Sequence, residues 1–297
     1  MEEPMGNRDL DRDFNEIAQE EEMNRGQSSS TPTKKKRGIF SIALCFIGIG
    51  MMLFAGWNLY TFFKDYADSN ALYGDLEESY VTKNTQEEDS QNTESTEVEE
   101  IPWYEMYTVD LEGVEAMNSD VIGWFVHETE EISYPILFSG DNTTYLRTGI
   151  DMKHATAGSI FMEGVNSPNF QDSHTIIYGH NMRNLSMFGK LKYYHDDGYY
   201  EENQYFQIHT QDTIYRYQIF AYEVVEADSF IYSVPYAPGQ QFANFLDKIY
   251  RKSEKDTGVV ATDADKIITL STCSSNDNRF VVCAVRVDSH AREISEQ

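Results

Sequence analysis

Lys266-Ile267-Ile268-Thr269-Leu270-Ser271-Thr272-Cys273, then Ser274-Ser275-Asn276-Asp277-Asn278, then Arg279-Phe280-Val281-Val282-Cys283-Ala284-Val285-Arg286-Val287: this stretch decides the fold. Two β-rich runs flank a polar turn, the pattern of a hairpin. Such a hairpin places Cys273, at a strand end, opposite Arg279. An arginine beside a cysteine favours the thiolate and can stabilise negative charge on a substrate oxygen. A cysteine in a β context is also commonly a small buried hydrophobe. Cys283, flanked by Val282 and Ala284, reads most simply as core. The register argues against a Cys273–Cys283 disulfide, since it separates the two by about 13 Å along the strand, against the ~7 Å that a disulfide allows. For Cys273 the pattern alone leaves nucleophile and core both open.

Outward from the hairpin, strand signals recur at 120–126, 175–178, 205–209 and 213–225, with Thr210-Gln211-Asp212 as the turn of a second hairpin. Phe242, Phe245, Leu246 and Ile249 follow i, i+3, i+4, i+7 spacing after Pro238-Gly239, which predicts a helix over 240–251. A weaker helical pattern runs over 186–194, with Phe188 and Leu191 as its apolar pair. Many strands and few helices predict a mainly β fold, a closed or half-closed barrel with inserted helices. A cysteine nucleophile needs a base. Of seven histidines, only His180 stands at the end of an apolar strand, Ile176-Ile177-Tyr178-Gly179-His180. The others sit in polar contexts, for which a solvated surface position is expected.

The N-terminal third has a different character. Residues 1–38 are polar and end in Lys34-Lys35-Lys36-Arg37, and the 25 positions from Ile39 to Phe63 carry no charge. As a helix those residues span about 37 Å, enough for a ~30 Å hydrocarbon core. The run is longer than a signal-peptide core and is followed by Lys64-Asp65-Tyr66, so a retained anchor is expected, with Trp57 and Tyr60 at the interface. Cys45 lies within this run as a small apolar residue. The basic cluster predicts a cytoplasmic N-terminus and an extracellular domain. Residues 64–101 turn acidic and polar, which predicts a solvated stalk before a single domain over 102–291 and a short tail, 292–297. The net charge of -27 argues against a nucleic-acid partner. Three cysteines without a C-x-x-C pair make neither a disulfide framework nor a thiolate metal site.

Three separated motifs resemble the class B sortases. Thr269-Leu270-Ser271-Thr272-Cys273 followed by Arg279 resembles the sortase T-L-x-T-C signature with its downstream arginine. Tyr178-Gly179-His180-Asn181-Met182, followed by Met187-Phe188-Gly189-Lys190-Leu191, resembles the class B histidine segment. Asp141-Asn142 to Tyr145-Leu146 and Gly158-Ser159-Ile160-Phe161 also look like that class, so the similarity runs from Trp103 to Val287. One departure is the five-residue Cys-to-Arg loop, short for the family.

The resemblance implies an eight-stranded sortase-type barrel behind an N-terminal membrane anchor. It makes Cys273 the nucleophile, His180 the acid/base and Arg279 the substrate-orienting and oxyanion-stabilising group. Asn142, Leu146, Tyr178, Ser271 and Thr272 fall where the substrate groove is expected. No acidic cluster resembles a calcium site, so neither metal nor cofactor is expected. The implied partners are secreted proteins with a C-terminal sorting signal, cleaved after threonine, and an amine of a peptidoglycan precursor. A pilin-polymerising enzyme with a lysine acceptor would use the same residues. A non-catalytic receptor domain on a stalk is the alternative of a different class, and it makes Cys273 dispensable. A peptidoglycan L,D-transpeptidase would require a His-Gly-Cys-x-Arg motif that the sequence lacks.

Overall fold

The structure, a computed structural model, describes residues 37–84, 101–273 and 278–292. In chain order these form α1 (Arg37–Tyr80), β1 (Val81–Lys83), β2 (Tyr107–Val109), α2 (Leu111–Met117), β3 (Val121–His127), β4 (Ser133–Leu137), β5 (Ile160–Met162) and β6 (His174–His180). There follow α3 (Tyr199–Glu202), β7 (Tyr205–His209), β8 (Thr213–Glu226), α4 (Gln240–Lys252), β9 (Ile267–Cys273) and β10 (Asn278–Ala291). Two compact units divide at Tyr60/Thr61.

In the first unit, α1 is apolar on every side, with Phe46, Met52 and Trp57 all exposed. By length and composition it could cross a membrane. The predicted tail 1–38 lies outside the described residues except for its last two, which open α1.

The second unit is a closed barrel of eight strands in the order β10-β8-β7-β3-β4-β5-β6-β9. All neighbours are antiparallel except β4–β5 and β6–β9. The six predicted strands appear as β3 and β6 to β10, the first five with ends shifted by no more than two residues, and β10 runs four residues further than expected. Two barrel strands gave no sequence signal. β4 carries Pro135, a residue that normally demotes a strand, and β5 is only three residues long. The helix predicted at 240–251 is α4, whereas the weak pattern at 186–194 is a 3-10 stretch, Gly189–His195.

Strand alternation gives each of β6, β9 and β10 an inner and an outer face. Ile177, Ile268, Leu270, Val282 and Ala284 point into the barrel core, around Trp124, Phe125 and Phe206. Ile267, Val281, Cys283 and Val285 point outward, where Phe242, Phe245, Leu246 and Ile249 of α4 cover them. The four α4 residues make one stripe, so the helix seals one end of the outer face and leaves the other end open.

The stalk predicted from 64 onward is corrected as far as Asn84. From Thr61 to Tyr80 the chain remains helical, and β1 pairs with β2 from Val81 to Lys83. Ser69, Tyr73 and Leu76 are buried, and Tyr80 is half-buried. Their 4-3-4 spacing is a helical stripe, masked in composition by the acidic residues between them. Residues 85–100 lie outside the described residues.

Candidate active site

β6 and β9 run side by side and parallel, and their register pairs Tyr178 with Ser271, Gly179 with Thr272 and His180 with Cys273. Adjacent strands lie about 4.8 Å apart, so positions 180 and 273 are immediate neighbours at the same edge of the barrel. On the other side, β9 and β10 pair Ser271 with Val281. Continuing that register two residues places 273 opposite Arg279, as the hairpin reading expects. All three positions belong to the outer face, at the end that α4 leaves open.

His180 is held from below. Its Nε2 donates to the Leu146 carbonyl at 2.8 Å. A carbonyl only accepts, so Nε2 carries the proton and Nδ1 is the nitrogen able to exchange one. Gly179 before it has no room for a side chain: a Cβ there would lie 2.4 Å from Ile160 Cδ1 and 2.6 Å from Phe188 Cδ2.

A cleft of about 350 Å3 opens beside this edge, lined by Asn142, Leu146, Tyr178, Tyr232, Glu163 and Arg279 among others. The expected groove residues Asn142, Leu146 and Tyr178 thus meet there with Arg279. The Asn142 Nδ2 donates to Glu163 Oε1 at 2.6 Å, and its Oδ1 accepts from the Gly164 N–H at 2.7 Å, which fixes the orientation of the amide. Tyr178 donates to the other Glu163 oxygen at 2.7 Å. The Asp141 carboxylate accepts from the backbone and hydroxyl groups of Thr143 and Thr144, which ties the turn carrying Asn142 and depresses the carboxyl pKa well below its usual value. Gly164 is required by the close approach of that turn, since a Cβ would sit 2.8 Å from the Asp141 backbone.

Two expected residues are placed differently. Ser271 is buried, with its Oγ 2.9 Å from the Tyr232 hydroxyl, so it supports a wall of the cleft. Thr272 is not brought to the cleft. Its side chain is on the inner face, and its hydroxyl donates to the Phe280 carbonyl at 3.1 Å and accepts from the Phe280 N–H at 2.9 Å. The motif threonine therefore locks the end of the β9–β10 hairpin. Glu163 and Tyr232 were missed: the first follows the three-residue β5 and the second ends a short 3-10 turn, Phe230–Tyr232, neither with a local pattern, and only the fold joins them to Asn142 and Ser271.

The expectation that the remaining histidines are solvated holds for His154 and His195, which are exposed, and is corrected for three others. His127, His174 and His209 are buried on β3, β6 and β7. Their rings meet Tyr194, Thr269 and Gln207, respectively, at 2.9, 2.9 and 3.0 Å. Burial lowers their pKa values to about 4, 3 and 3. Cys283 is a free, buried thiol with a pKa raised to about 12, first by burial. Among the described residues, no group of three or more His, Cys, Asp or Glu could hold a metal ion.

A closed eight-stranded mixed barrel with a histidine and a cysteine on neighbouring parallel strand ends defines the class, and the chain belongs to the sortase family, with residues 128–287 matching the sortase domain. Within that family it groups with class B, and like other sortases it is a cysteine transpeptidase. It is 30% identical over 242 residues to sortase B of Listeria monocytogenes, covering 81% of this chain and 92% of that protein. The structure is similar to that of sortase B from B. anthracis in complex with AAEK1, with a TM-score of 0.63 at 27% identity, covering 76% of this chain and 99% of that one. It is also similar to a Staphylococcus aureus sortase B–substrate complex, with a TM-score of 0.57 at 30% identity, over 60% of this chain and 84% of that one.

Proposed function

We propose that this enzyme is a membrane-anchored transpeptidase that cleaves a C-terminal sorting signal after threonine and joins the protein to a peptidoglycan amine. The observation that carries the reading is the β6–β9 register, which pairs His180 with Cys273 beside a cleft lined by Arg279. The Cys273 thiolate attacks the threonine carbonyl carbon. Arg279 stabilises the charge that develops on the oxygen. The C–N bond then breaks, the departing amine takes a proton from His180, and a thioester remains. In the second half the acceptor amine attacks the thioester, gives its proton to His180 and releases the thiolate. The acyl group keeps its activation in the thioester, so no nucleotide is consumed. The similarity to a structure described as a sortase B–substrate complex supports a peptide in this cleft. The apolar run of α1, with Lys34 to Arg37 on its N-terminal side, supports an anchor with the barrel outside. Anchoring keeps the enzyme where secreted protein and lipid-linked precursor arrive together.

The test is hydroxylamine capture. With a panel of peptides carrying Thr-Gly or Thr-Asn junctions, the enzyme releases the C-terminal fragment and forms a threonine hydroxamate, and added amine raises turnover. A mass spectrum showing only free acid with hydroxylamine in excess would count against transpeptidation, and no cleavage of any peptide would favour a binding domain.

A further inference from the structure

We propose that the second half of α1 is a working part of the active site: Tyr73 is a positioning residue for His180, and Asn70 holds the segment that follows it. The inference rests on His180 being the acid/base.

One route runs to the ring of His180. Asp65 Oδ2 accepts from the Thr156 N–H at 2.8 Å, which docks α1 on the 146–159 segment. Two turns on, the buried Tyr73 hydroxyl donates to the Gly158 carbonyl at 2.9 Å and lies 2.9 Å from the Ser159 hydroxyl. Ser159 is in turn stitched to Tyr145 through its backbone N–H, at 3.0 Å, and to the Thr148 carbonyl through its hydroxyl, at 2.8 Å. Gly158 holds φ +58, and a Cβ there would lie 2.7 Å from the Leu146 oxygen. That same oxygen accepts from His180 Nε2. Any shift of Gly158–Ser159 therefore moves the acceptor that fixes the tautomer and tilt of the ring.

A second route runs to the backbone after His180. Asn184 Nδ2 donates to Asn70 Oδ1 at 3.0 Å. The Tyr73 ring packs edge-on against Tyr134, with centroids 5.5 Å apart, and the Tyr134 hydroxyl accepts from the Met187 N–H at 2.9 Å. Met187 bridges to Asn181, and the Phe188 N–H returns to the His180 carbonyl at 3.1 Å. Leu185 and Met187 both hold positive φ, 69 and 53. Side-chain-bearing residues persist in that region only where their surroundings hold them. A cavity of about 240 Å3 separates α1 from this loop, lined by Asn70, Tyr73, Glu77, Tyr134, Asn184 and Lys190 among others. Across this space the Asn184–Asn70 hydrogen bond ties the loop to α1.

The experiment uses the full chain in detergent and the hydroxylamine assay. Tyr73→Phe keeps the ring on Tyr134 and removes only the hydroxyl. Its kcat should fall about tenfold, the effect of one misplaced hydrogen bond in the transition state, with KM nearly unchanged. The limb of the kcat/KM–pH profile that reports the histidine should shift as well. Asn70→Ala, at an exposed position, should show the same signature at about two- to fivefold. It keeps the test alive should Tyr73→Phe fail to fold. A lower melting temperature with unchanged kcat and pH profile in both variants would overturn the inference. His180→Ala separates the two ideas: retained activity there overturns the acid/base reading itself, whereas its loss beside unaffected Tyr73→Phe and Asn70→Ala overturns only the positioning role.

Discussion

The outer face of β6, β9 and β10 carries the same chemistry twice. At one end, His174 and Cys283 share the Thr269 hydroxyl, at 2.9 and 3.4 Å. At the other, His180 pairs with Cys273 in the ladder. The first set lies under α4, with the His174 ring 4.9 Å from that of Phe245, and both members are buried. There the imidazole stays neutral and the thiol stays protonated, because burial outweighs the Ser233 hydrogen bond to the ring and the Thr269 hydrogen bond to the thiol. The second set stands where α4 has ended and a cleft begins. A histidine and a cysteine close together on one barrel face, here joined through Thr269 of the strand between them, are thus not enough for chemistry. What separates the two ends is whether a helix covers the face.

Removing each thiol in turn tests the covered and the open end of the face separately. Cys273→Ala should abolish hydroxamate formation, a loss of about a thousandfold or more. Cys283→Ala should keep full activity while costing about 1 kcal/mol of stability from the small cavity left behind. Peptide mapping after alkylation of the folded protein should find Cys273 modified and Cys283 untouched. An active Cys273→Ala protein would mean that the open end of the face is not the reacting one.

Much of this contrast was legible in the sequence, for local reasons. The two strands of the hairpin, the polar turn between them and the α4 stripe after Pro238-Gly239 each carry their own periodicity. They gave the register of Cys273, Arg279 and Cys283 without any knowledge of the barrel. What stayed illegible is what the fold brings from far away. Nothing near His174 announces that Phe245 will cover it, so its polar neighbours suggested a solvated ring. Glu163 meets Asn142 and Tyr178 only through barrel closure. The Tyr73 stripe was hidden for a different reason: acidic residues on the exposed side of a docked helix have the composition of a solvated linker.

Acidification should destabilise the fold through its buried histidines. His127, His174 and His209 have folded pKa values lowered from 6.5 to about 4, 3 and 3. Below pH 6.5 the unfolded chain therefore binds protons that the folded chain refuses, and stability drops until each folded pKa is reached. By pH 4.5 each ring should cost on the order of 2 to 3 kcal/mol, at about 1.4 kcal/mol per pKa unit. Urea unfolding of the full chain at pH 7 and 4.5 should show this fall. His174→Gln and His209→Gln, which cannot take up the proton, should each flatten it. An acid limb equally steep in both variants would show that these rings are not what drives it.

A single-site effect concerns Glu223, on β8 next to β10 and beside Cys283. It is buried, its Oε1 has no hydrogen-bond partner among the described residues, and its pKa is raised from 4.5 to about 7, first by desolvation. Lys252 lowers the value and Glu254 raises it, so the nearby charges oppose each other and burial decides. The sign is opposite to that of the histidines. As pH rises from 4.5 to 7 the unfolded chain releases this proton before the folded one does, so stability declines across that window and stays lower above it. The loss is at most about 3 kcal/mol, and smaller wherever water reaches the carboxylate. Glu223→Gln removes the titration, so its stability relative to the parent should be higher at pH 8 than at pH 4.5. Glu223 also helps hold the Cys283 proton, but burial is the larger cause. The variant should therefore leave Cys283 as resistant to alkylation at pH 8 as the parent. A Cys283 that became reactive would mean that the Glu223 charge, and not the α4 cover, keeps that thiol silent.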